Sequence, residues 1–287
     1  MILLTGLTSA TGLRVAKRLL KSGHSFTALV RDPDKVPDLK SKKVALVKGD
    51  LSKSGTIKKA MDGIENAFLL PPSTENQFKL EKNFIDAAKE AGVKHVVKYS
   101  VIGADSKSPS KILKHHGQSE EYLKDSGLRY TIIRPNFFMQ NFVNFYGQDI
   151  RKKKQIRLPL RNAKCGYVDL RDTARLINKV LTTNGSKNKT YVVTGPESFS
   201  CIEITELFSE AMGKKINYID IKPKEFKKDM INAGVKEPVA EAYSELYKLV
   251  RDGICDIVTD DIYKITDRQP HTFEEFLDDN IKFFLKK

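Results

Sequence analysis

The sequence has no apolar run close to the roughly 20 residues that a transmembrane helix needs. It also has only three cysteines in 287 residues, Cys165, Cys201 and Cys255, and they form no C-x-x-C pair. A disulfide framework and a metal site are therefore both disfavoured, and buried free thiols are expected. The apolar N-terminus lacks a basic segment and is too short for a signal peptide. We expect a cytoplasmic protein that has no membrane partner.

The positive charge is not concentrated in the sequence either. The net charge is +14, but the lysines are scattered, and the densest basic run, Arg151 to Lys154, has four residues and no neighbouring aromatic pattern. Helix-turn-helix spacing is not evident, so sequence-specific binding to nucleic acid is not expected. We interpret the basic residues as a solvated surface that helps to attract phosphate-bearing ligands, with a functional polyanion patch as the alternative.

What the sequence does contain is an alternation of short apolar runs and helical patterns, which indicates βαβ units around a parallel sheet. Strands are predicted at residues 1–5, 25–30, 44–48, 66–70, 95–100 and 130–134, and helices at 12–22, 56–61, 77–91 and 110–126. Right-handed crossovers between them give an α/β fold with a doubly wound parallel sheet, the Rossmann fold.

The second half of the chain is less regular. It predicts a helix at 169–182, a strand at 190–194 and a closing helix at 272–284, which Thr272 and Glu275 begin with a capping box. Residues 196–270 are rich in helical patterns and lysine, so we predict a smaller C-terminal lobe there for a substrate or partner. Residues 1–195, together with 271–287, would form the dinucleotide-binding domain.

A glycine-containing turn follows the first predicted strand and opens the first predicted helix. In a dinucleotide site the first glycine makes the turn, the middle one lets the backbone approach the pyrophosphate, and the last lets helix and strand pack closely. Here Gly6 and Gly12 take the first and last positions, while Ser9 replaces the middle glycine. The serine reduces the clearance, but its N–H remains and its hydroxyl could bond a phosphate oxygen. We predict that this turn binds a pyrophosphate at the helix N-terminus.

The end of the second strand predicts which ribose is recognised. NAD sites usually carry an acid there, whereas an arginine accommodates the 2′-phosphate of NADP. Arg31 ends this strand and suits a phosphate, while Asp32 follows it and could instead turn toward a ribose hydroxyl. We favour NADP(H) over NAD(H). After the third strand, Asp50 and Leu51 either lie near the adenine or belong to a simple turn.

These motifs resemble those of the NmrA-like atypical short-chain dehydrogenase/reductases, a family that includes NAD(P)H:quinone reductases and NADPH-sensing regulators. The resemblance rests on the glycine turn, residues 29–31 and 49–51, Tyr99-Ser100, His116 with Glu120, the stretch 130–141, Asp169 to Asp172, and residues 270–276. It covers nearly the whole chain and is most specific in residues 134–141.

The resemblance implies a set of site residues. The cofactor contacts would be Gly6, Thr8, Ser9, Ala10, Thr11, Gly12, Arg31, Asp50 and Leu51, with Leu70, Pro71, Tyr99 and Ser100 flanking the nucleotide. Pro135, Asn136 and Phe137 would lie beside the nicotinamide. Asn136 would bond the carboxamide, and Phe137 or Phe138 would form an apolar wall for a flat substrate.

The catalytic Tyr-x-x-x-Lys pair of typical short-chain dehydrogenases is missing. In that pair the lysine lowers the pKa of the tyrosine so that the phenol can transfer a proton. The two positions fall on Ile112 and His116. Only one of His115 and His116 can face a cleft, because consecutive helical residues point in different directions. We select His116 as the possible proton donor, with a surface or supporting histidine as the alternative.

Three functions remain open. The first is an NADP(H)-dependent oxidoreductase that transfers a hydride to a small-molecule acceptor, a quinone or a similar conjugated carbonyl compound. The second is a non-catalytic NADP(H)-sensing regulatory protein. The third and weakest is an enzyme like the nucleotide-sugar epimerases, which the missing tyrosine disfavours. A quinone reductase needs less, because a positioned nicotinamide and an apolar slot suffice. We assign no oligomeric state from the sequence.

Overall fold

The computed structural model describes residues 1–39, 41–72 and 74–286. Its strands are β1 Ile2–Leu4, β2 Phe26–Val30, β3 Val44–Lys48, β4 Asn66–Leu69, β5 His95–Tyr99, β6 Arg129–Pro135, β7 Gln155–Leu158, β8 Lys164–Cys165, β9 Lys189–Val193, β10 Phe199–Ser200 and β11 Asn217–Asp220. Its α-helices are α1 Ala10–Lys21, α2 Ser54–Ala60, α3 Gln77–Glu90, α4 Lys111–Asp125, α5 Asn141–Asn144, α6 Gly147–Lys153, α7 Leu170–Thr182, α8 Cys201–Met212, α9 Pro223–Asn232, α10 Glu237–Arg251, α11 Asp261–Thr266 and α12 Phe273–Leu285.

Seven strands form one sheet in the order β3-β2-β1-β4-β5-β6-β9. The paired strands from β3 to β6 run parallel. The N–H of Asn188 donates to the carbonyl of Tyr130, and that of Asn136 to Val193, so β9 also runs parallel to β6. The strand order reverses between β1 and β4, where doubly wound folds bind their ligands. The predicted fold class is confirmed.

The sheet forms because its inner strands are apolar on both faces. All residues of β1, β2 and β5 are buried, as expected for parallel strands that are covered by helices on both sides. On one face, α3 packs its predicted apolar stripe against the sheet and buries Phe84, Ile85 and Ala88 completely. The spacing of these three positions follows the helical period, which is why the sequence predicted this helix.

The chain divides into two compact units. Unit 1 comprises Met1–Lys107, Lys114–Arg134 and Thr173–Tyr191, and unit 2 comprises Ser108–Leu113, Pro135–Asp172 and Val192–Lys287. Unit 1 carries 27 lysines and arginines against 14 acidic residues, whereas unit 2 carries 23 against 22. Nearly all of the net positive charge therefore belongs to the unit with the glycine turn, and the scattered lysines are unevenly distributed after all.

Unit 2 contains two small sheets that the sequence did not predict: β7 pairs in parallel with β11, and β8 pairs antiparallel with β10. Its core is aromatic. Phe142 contacts the rings of Phe208 and Phe273, and Phe208 also contacts Phe284 at 5.0 Å. The closing helix α12 has the predicted capping box. The phenylalanines of α12 enter this core, and α12 falls in unit 2 together with residues 135–172. The sequence analysis had assigned both segments to the dinucleotide-binding domain.

None of the described helices is long and apolar enough to cross a membrane. The three cysteines are buried and unpaired. Among the described residues no group of three His, Cys, Asp or Glu side chains is arranged to hold a metal ion.

Candidate functional site

The turn between β1 and α1 has no room for side chains at its two glycines. Gly6 has a φ of +71°, and a Cβ on it would lie 2.7 Å from Cγ of Leu70. A Cβ on Gly12 would lie 2.3 Å from the carbonyl oxygen of Gly6. The second clash is with backbone and cannot be relieved by a rotamer change. Gly6 is therefore needed for the turn, and Gly12 for the close approach of α1 to β1, as the motif predicts.

Ser9 holds this turn together instead of filling it. Its side chain is exposed, and its hydroxyl accepts the N–H of Gly12 at 3.0 Å and donates to the carbonyl of Gly6 at 2.8 Å. The N–H of Ser9 donates to the same carbonyl at 3.0 Å. Ser9 is thus the N-cap of α1. A phosphate could accept a hydrogen bond from Ser9 only if one of these bonds broke. The carbonyl of Gly6 therefore competes with the phosphate for the predicted bond.

The free donors of the turn are the next two N–H groups. No described residue accepts a hydrogen bond from the N–H of Ala10 or Thr11, whereas that of Leu13 donates to the carbonyl of Ser9. Ala10 is exposed and Thr11 is buried. Unpaired N–H groups at the positive end of a helix dipole form an anion site. Thr8, also predicted as a contact, is exposed just before them.

Arg31 and Asp32, the two ribose candidates, behave differently. The carboxylate of Asp32 accepts the N–H of Asp34 at 3.2 Å and caps the short 3₁₀ helix Pro33–Lys35. Arg31 is exposed directly after β2, and among the described residues it forms no ion pair. The acid is therefore engaged in its own turn, while the guanidinium remains available to a ligand.

Asp50 stays ionised beside this arginine. Its carboxylate accepts the N–H of Ser52 at 2.7 Å, and this bond, with help from the charge of Arg31, lowers the pKa of Asp50. The preceding Gly49 has no space for a side chain, since a Cβ there would lie 2.5 Å from Leu29. Leu51 is half-buried. Both predicted meanings of this segment are compatible with the geometry, because Asp50 forms a turn and also lies within the field of Arg31.

The ends of β4 and β5 carry the other predicted cofactor contacts of unit 1. The N–H of Leu70 donates to the hydroxyl of Thr5 at 2.9 Å, which joins β1 to β4 at the reversal of strand order. Pro71, the next residue, is half-buried. The Tyr99 hydroxyl is buried beside the side chain of Thr11, and burial raises its pKa more than the interaction with Thr11 lowers it. Tyr99 is therefore a weaker acid than an ordinary tyrosine.

The hydroxyl of Ser100 has no proton left to donate to a ligand and could only accept a hydrogen bond from one. It donates to the carboxylate of Glu120, which is 1% exposed. The same carboxylate receives Nε of Arg134 at 2.9 Å and Nη2 at 2.5 Å. This bidentate pair stabilises the buried charge of Glu120 and connects β5, α4 and β6. The sequence showed Glu120 only as part of the family pattern, and its partners could not be read from spacing.

His116 lies on α4, and its Nδ1 atom is buried without a hydrogen-bond partner in the described chain. Burial, followed by the positive charge of Lys98, holds its pKa well below the ordinary value. The imidazole is consequently neutral near pH 7. A charged imidazolium, which is the usual proton donor, is not the resting form of this residue.

Lys98, whose positive charge helps to lower the pKa of His116, belongs to a buried ion pair that was not predicted from the sequence. Lys98 and Glu81 are both 0% exposed and pair with each other, and the carboxylate also accepts the hydroxyl of Ser119 at 2.5 Å and the amide of Gln77 at 3.2 Å. The one visible signal was a lysine in the middle of an otherwise apolar strand, His95–Tyr99. Such a residue needs a buried partner.

The remaining predicted contacts lie in unit 2 and have internal partners. The Asn136 side chain donates to the carbonyl of Cys255 at 2.8 Å, and its oxygen accepts the N–H of Phe137 at 2.8 Å. Each end of this amide therefore has one internal partner, which fixes the orientation of the side chain and leaves one N–H and one lone pair for a nicotinamide. Pro135 ends β6 and is buried.

Phe137 and Phe138 are each half-buried. Phe137 contacts the Tyr247 ring at 5.7 Å, and Phe138 bridges to Val168 through the backbone. Phe142, in contrast, is 1% exposed within the aromatic core. Of the phenylalanines in this stretch, Phe137 and Phe138 thus retain partial exposure while Phe142 is core.

Comparison with known proteins identifies a family and several relatives that are named as reductases. The model of the NmrA-like family matches residues 1–277. The chain is 36% identical over 276 residues to the NAD(P)H azoreductase of Xenophilus azovorans, covering 96% of both chains. It is 25% identical over 248 residues to quinone oxidoreductase 2 of Escherichia coli, covering 85% of this chain and 86% of the other.

The similarity extends to the three-dimensional structure of a known protein. The triphenylmethane reductase of Citrobacter, complexed with NADP(H), superposes with a TM-score of 0.88 at 25% identity, covering 97% of this chain and 99% of the other. The family match spans the glycine turn, the β2 end, α4 and the stretch after β6, which are the features described above. This chain belongs to the NmrA-like family.

Proposed function

We propose that this protein is an NADP(H)-dependent reductase that passes a hydride to a quinone or a similar conjugated acceptor. The observation that carries the proposal is the pair of N–H groups of Ala10 and Thr11, which have no acceptor among the described residues and begin α1 where the strand order reverses. These donors lie beside a glycine turn that excludes side chains, and the unit that contains them is strongly basic. An anion bound there gains both specific bonds and long-range attraction.

The residues fit the parts of the cofactor. Ala10 and Thr11 would hold the pyrophosphate, and the unpaired guanidinium of Arg31 would hold the 2′-phosphate. Asp50 is engaged with Ser52 and would accept from the adenosine ribose only through its remaining lone pairs. The preference for NADP(H) over NAD(H) rests on the contrast between the free Arg31 and the engaged Asp32.

The acceptor is inferred from the relatives. Their names refer to azo, quinone and triphenylmethane compounds, which are all conjugated and largely planar. The half-buried Phe137 and Phe138 offer aromatic surface for such a molecule, and aromatic faces stack well on flat π-systems.

The chain's own residues contribute little acid–base chemistry. The bound cofactor supplies the hydride from its nicotinamide ring. The sequence suggested His116 as a proton donor, but its lowered pKa makes it neutral at rest. We therefore propose that His116 donates a hydrogen bond that stabilises negative charge on the acceptor oxygen, while water supplies the proton. Tyr99, with its raised pKa, stays protonated and is a poor acid.

The test is an assay of NADPH oxidation with benzoquinone, a naphthoquinone and an azo dye as acceptors. The oxidation is monitored by the loss of nicotinamide absorbance. Gly12→Ala places a Cβ against the Gly6 carbonyl and should lower kcat/KM for NADPH at least about 100-fold, since the turn must move. Gly55→Ala is the matched control, because a Cβ at Gly55 meets no atom within 4 Å. Circular dichroism checks that both variants are folded.

Turnover that survives in Gly55→Ala and is lost in Gly12→Ala is the expected result. Tight NADPH binding with no oxidation on any acceptor would overturn the reductase and favour a regulatory protein that senses the cofactor. That second function has some support in the structure, because His116 and Tyr99 both have pKa values shifted away from neutral pH.

A further inference from the structure

The basic run at the end of α6 has an aromatic partner that the sequence does not show. The Arg151 guanidinium lies 5.4 Å from the centre of the Phe283 ring on α12. The two helices pack so closely that a Cβ on Gly147 would lie 2.6 Å from Phe283. A basic segment of α6 is thus fixed against the end of α12, although about 130 residues separate them in sequence.

More lysines meet at this place. The N–H of Asn217 donates to the carbonyl of Lys154 at 2.9 Å, so the exposed Lys214 and Lys215, just before β11, lie beside the end of α6. The exposed Lys282 precedes Phe283 on α12, and the exposed Lys286 directly follows the end of that helix. We name this group the basic corner; it comprises Arg151, Lys152, Lys153, Lys154, Lys214, Lys215, Lys282 and Lys286.

Acidic residues do not neutralise the basic corner. Asp149 pairs with Lys153 at 3.0 Å, and two further carboxylates lie nearby, Glu210 four residues before Lys214 and Asp278 four residues before Lys282. Within the described chain, no carboxylate forms an ion pair with Lys152 or Lys214. Because unit 2 as a whole carries nearly equal numbers of both charges, this clustering is a local property.

Two large apolar side chains project from the same segments. Phe145, two residues before α6, is 73% exposed, and Leu285, the last residue of α12, is 50% exposed. Phe145 is the most exposed of the large hydrophobic side chains of the described residues. Basic side chains around exposed aromatic and aliphatic groups are typical of surfaces that lie in a membrane interface.

We propose that the basic corner docks this protein on an anionic lipid bilayer, with Phe145 and Leu285 inserted at the boundary between headgroups and acyl chains. The lysines lie close to lipid phosphates, and their long side chains reach past the apolar groups to the polar layer. A nucleic acid matches the charge and stacks on a phenylalanine, but it offers no hydrocarbon layer to Leu285. The proposal is independent of the reductase function, and it departs from the expectation from the sequence that the protein has no membrane partner.

Vesicle sedimentation tests the docking surface. The full chain is mixed with phosphatidylcholine vesicles and with vesicles that contain about 30% phosphatidylserine, at about 50 mM and about 500 mM salt. We expect binding only to the anionic vesicles, weakened at high salt. Lys152→Ser/Lys214→Ser/Lys215→Ser should lower the partition coefficient by about two orders of magnitude. The control Lys42→Ser/Lys43→Ser/Lys59→Ser removes the same charge from exposed sites of unit 1.

A second variant separates lipid from other polyanions. Phe145→Ser keeps every charge and should lower vesicle binding about tenfold or more, while retention on heparin and on single-stranded DNA stays unchanged. If Phe145→Ser binds vesicles as well as the wild type does, or if the control triple variant loses as much as the basic-corner variant, the docking surface is refuted. Equal loss of heparin and vesicle binding in Phe145→Ser would instead indicate a nucleic-acid surface and would equally overturn the proposal.

Discussion

Replacing Arg31 by alanine should remove the preference for NADPH over NADH without weakening the fold. Arg31 is exposed and forms no ion pair within the described chain, so its removal breaks no internal contact. What the variant would lose is the proposed charge-assisted, bidentate bond to the 2′-phosphate, which only NADP(H) carries. The affinity for NADH, which has a hydroxyl at that position, should be almost unaffected.

The magnitude follows from the type of bond. A hydrogen bond to a charged group contributes about 1.5–3 kcal/mol, which is roughly a 10- to 150-fold increase in the Kd for NADPH. Because Arg31 is exposed, the lower half of that range applies, and salt should reduce the difference further. Isothermal titration calorimetry with NADPH and NADH, for both the wild type and the variant, measures all four affinities.

A matched control removes an equally exposed charge elsewhere in the same basic unit. Lys59→Ala lies on α2 and should weaken NADPH binding less than about twofold, through the general field alone. If Arg31→Ala leaves the preference for NADPH unchanged, or if Lys59→Ala weakens it equally, the assignment of Arg31 to the 2′-phosphate is wrong.

Two further predictions concern the fold that supports the site. Lys98→Met leaves the Glu81 carboxylate buried without its cation and should lower the free energy of unfolding, measured with urea, by about 3–5 kcal/mol. The double variant Lys98→Met/Glu81→Leu should recover most of this loss. Equal losses in both variants would show that an unpaired buried charge is not the cause. Burial, with the charges of Lys187 and Arg129, lowers the pKa of His95 from 6.5 to about 4. The unfolded chain therefore binds more protons between these values, so stability is full above pH 6.5 and falls by up to about 3 kcal/mol as the pH drops to 4. His95→Gln should flatten this dependence in pH-dependent unfolding, and an unchanged slope would assign it to other groups.

The Rossmann unit could be predicted because its signals are local. Strands such as Val44–Lys48 and helices such as Gln77–Glu90 each show their own period or apolar run, and turns fall at glycines. Val44–Lys48 was predicted with its observed bounds, and Gln77–Glu90 to within one residue at its end. The small sheets of unit 2 have strands of only two to four residues, too short for any period to appear.

The partners of the site residues could not be predicted, because they are distant in sequence. The family pattern indicated His116, but its low pKa depends on Lys98 from β5, which is itself held by Glu81 from α3. Asn136 looked free to bind a cofactor, yet its amide already donates to the carbonyl of Cys255, 119 residues away. A pattern of residue types specifies which groups are present, and only the fold determines which of them remain unpaired.

Ser9 shows how one departure from the glycine motif is compatible with the same chemistry. A glycine at this position gives clearance but leaves the start of α1 without a side-chain cap, at a cost of only a few tenths of a kcal/mol. Ser9 supplies the cap and turns its hydroxyl back to Gly6 and Gly12, so its side chain occupies the turn and not the space in front of the helix. The donors that a pyrophosphate needs then shift to Ala10 and Thr11, whose N–H groups have no internal acceptor. The serine therefore gives the turn rigidity without removing the positive end of the helix on which the proposed cofactor site depends.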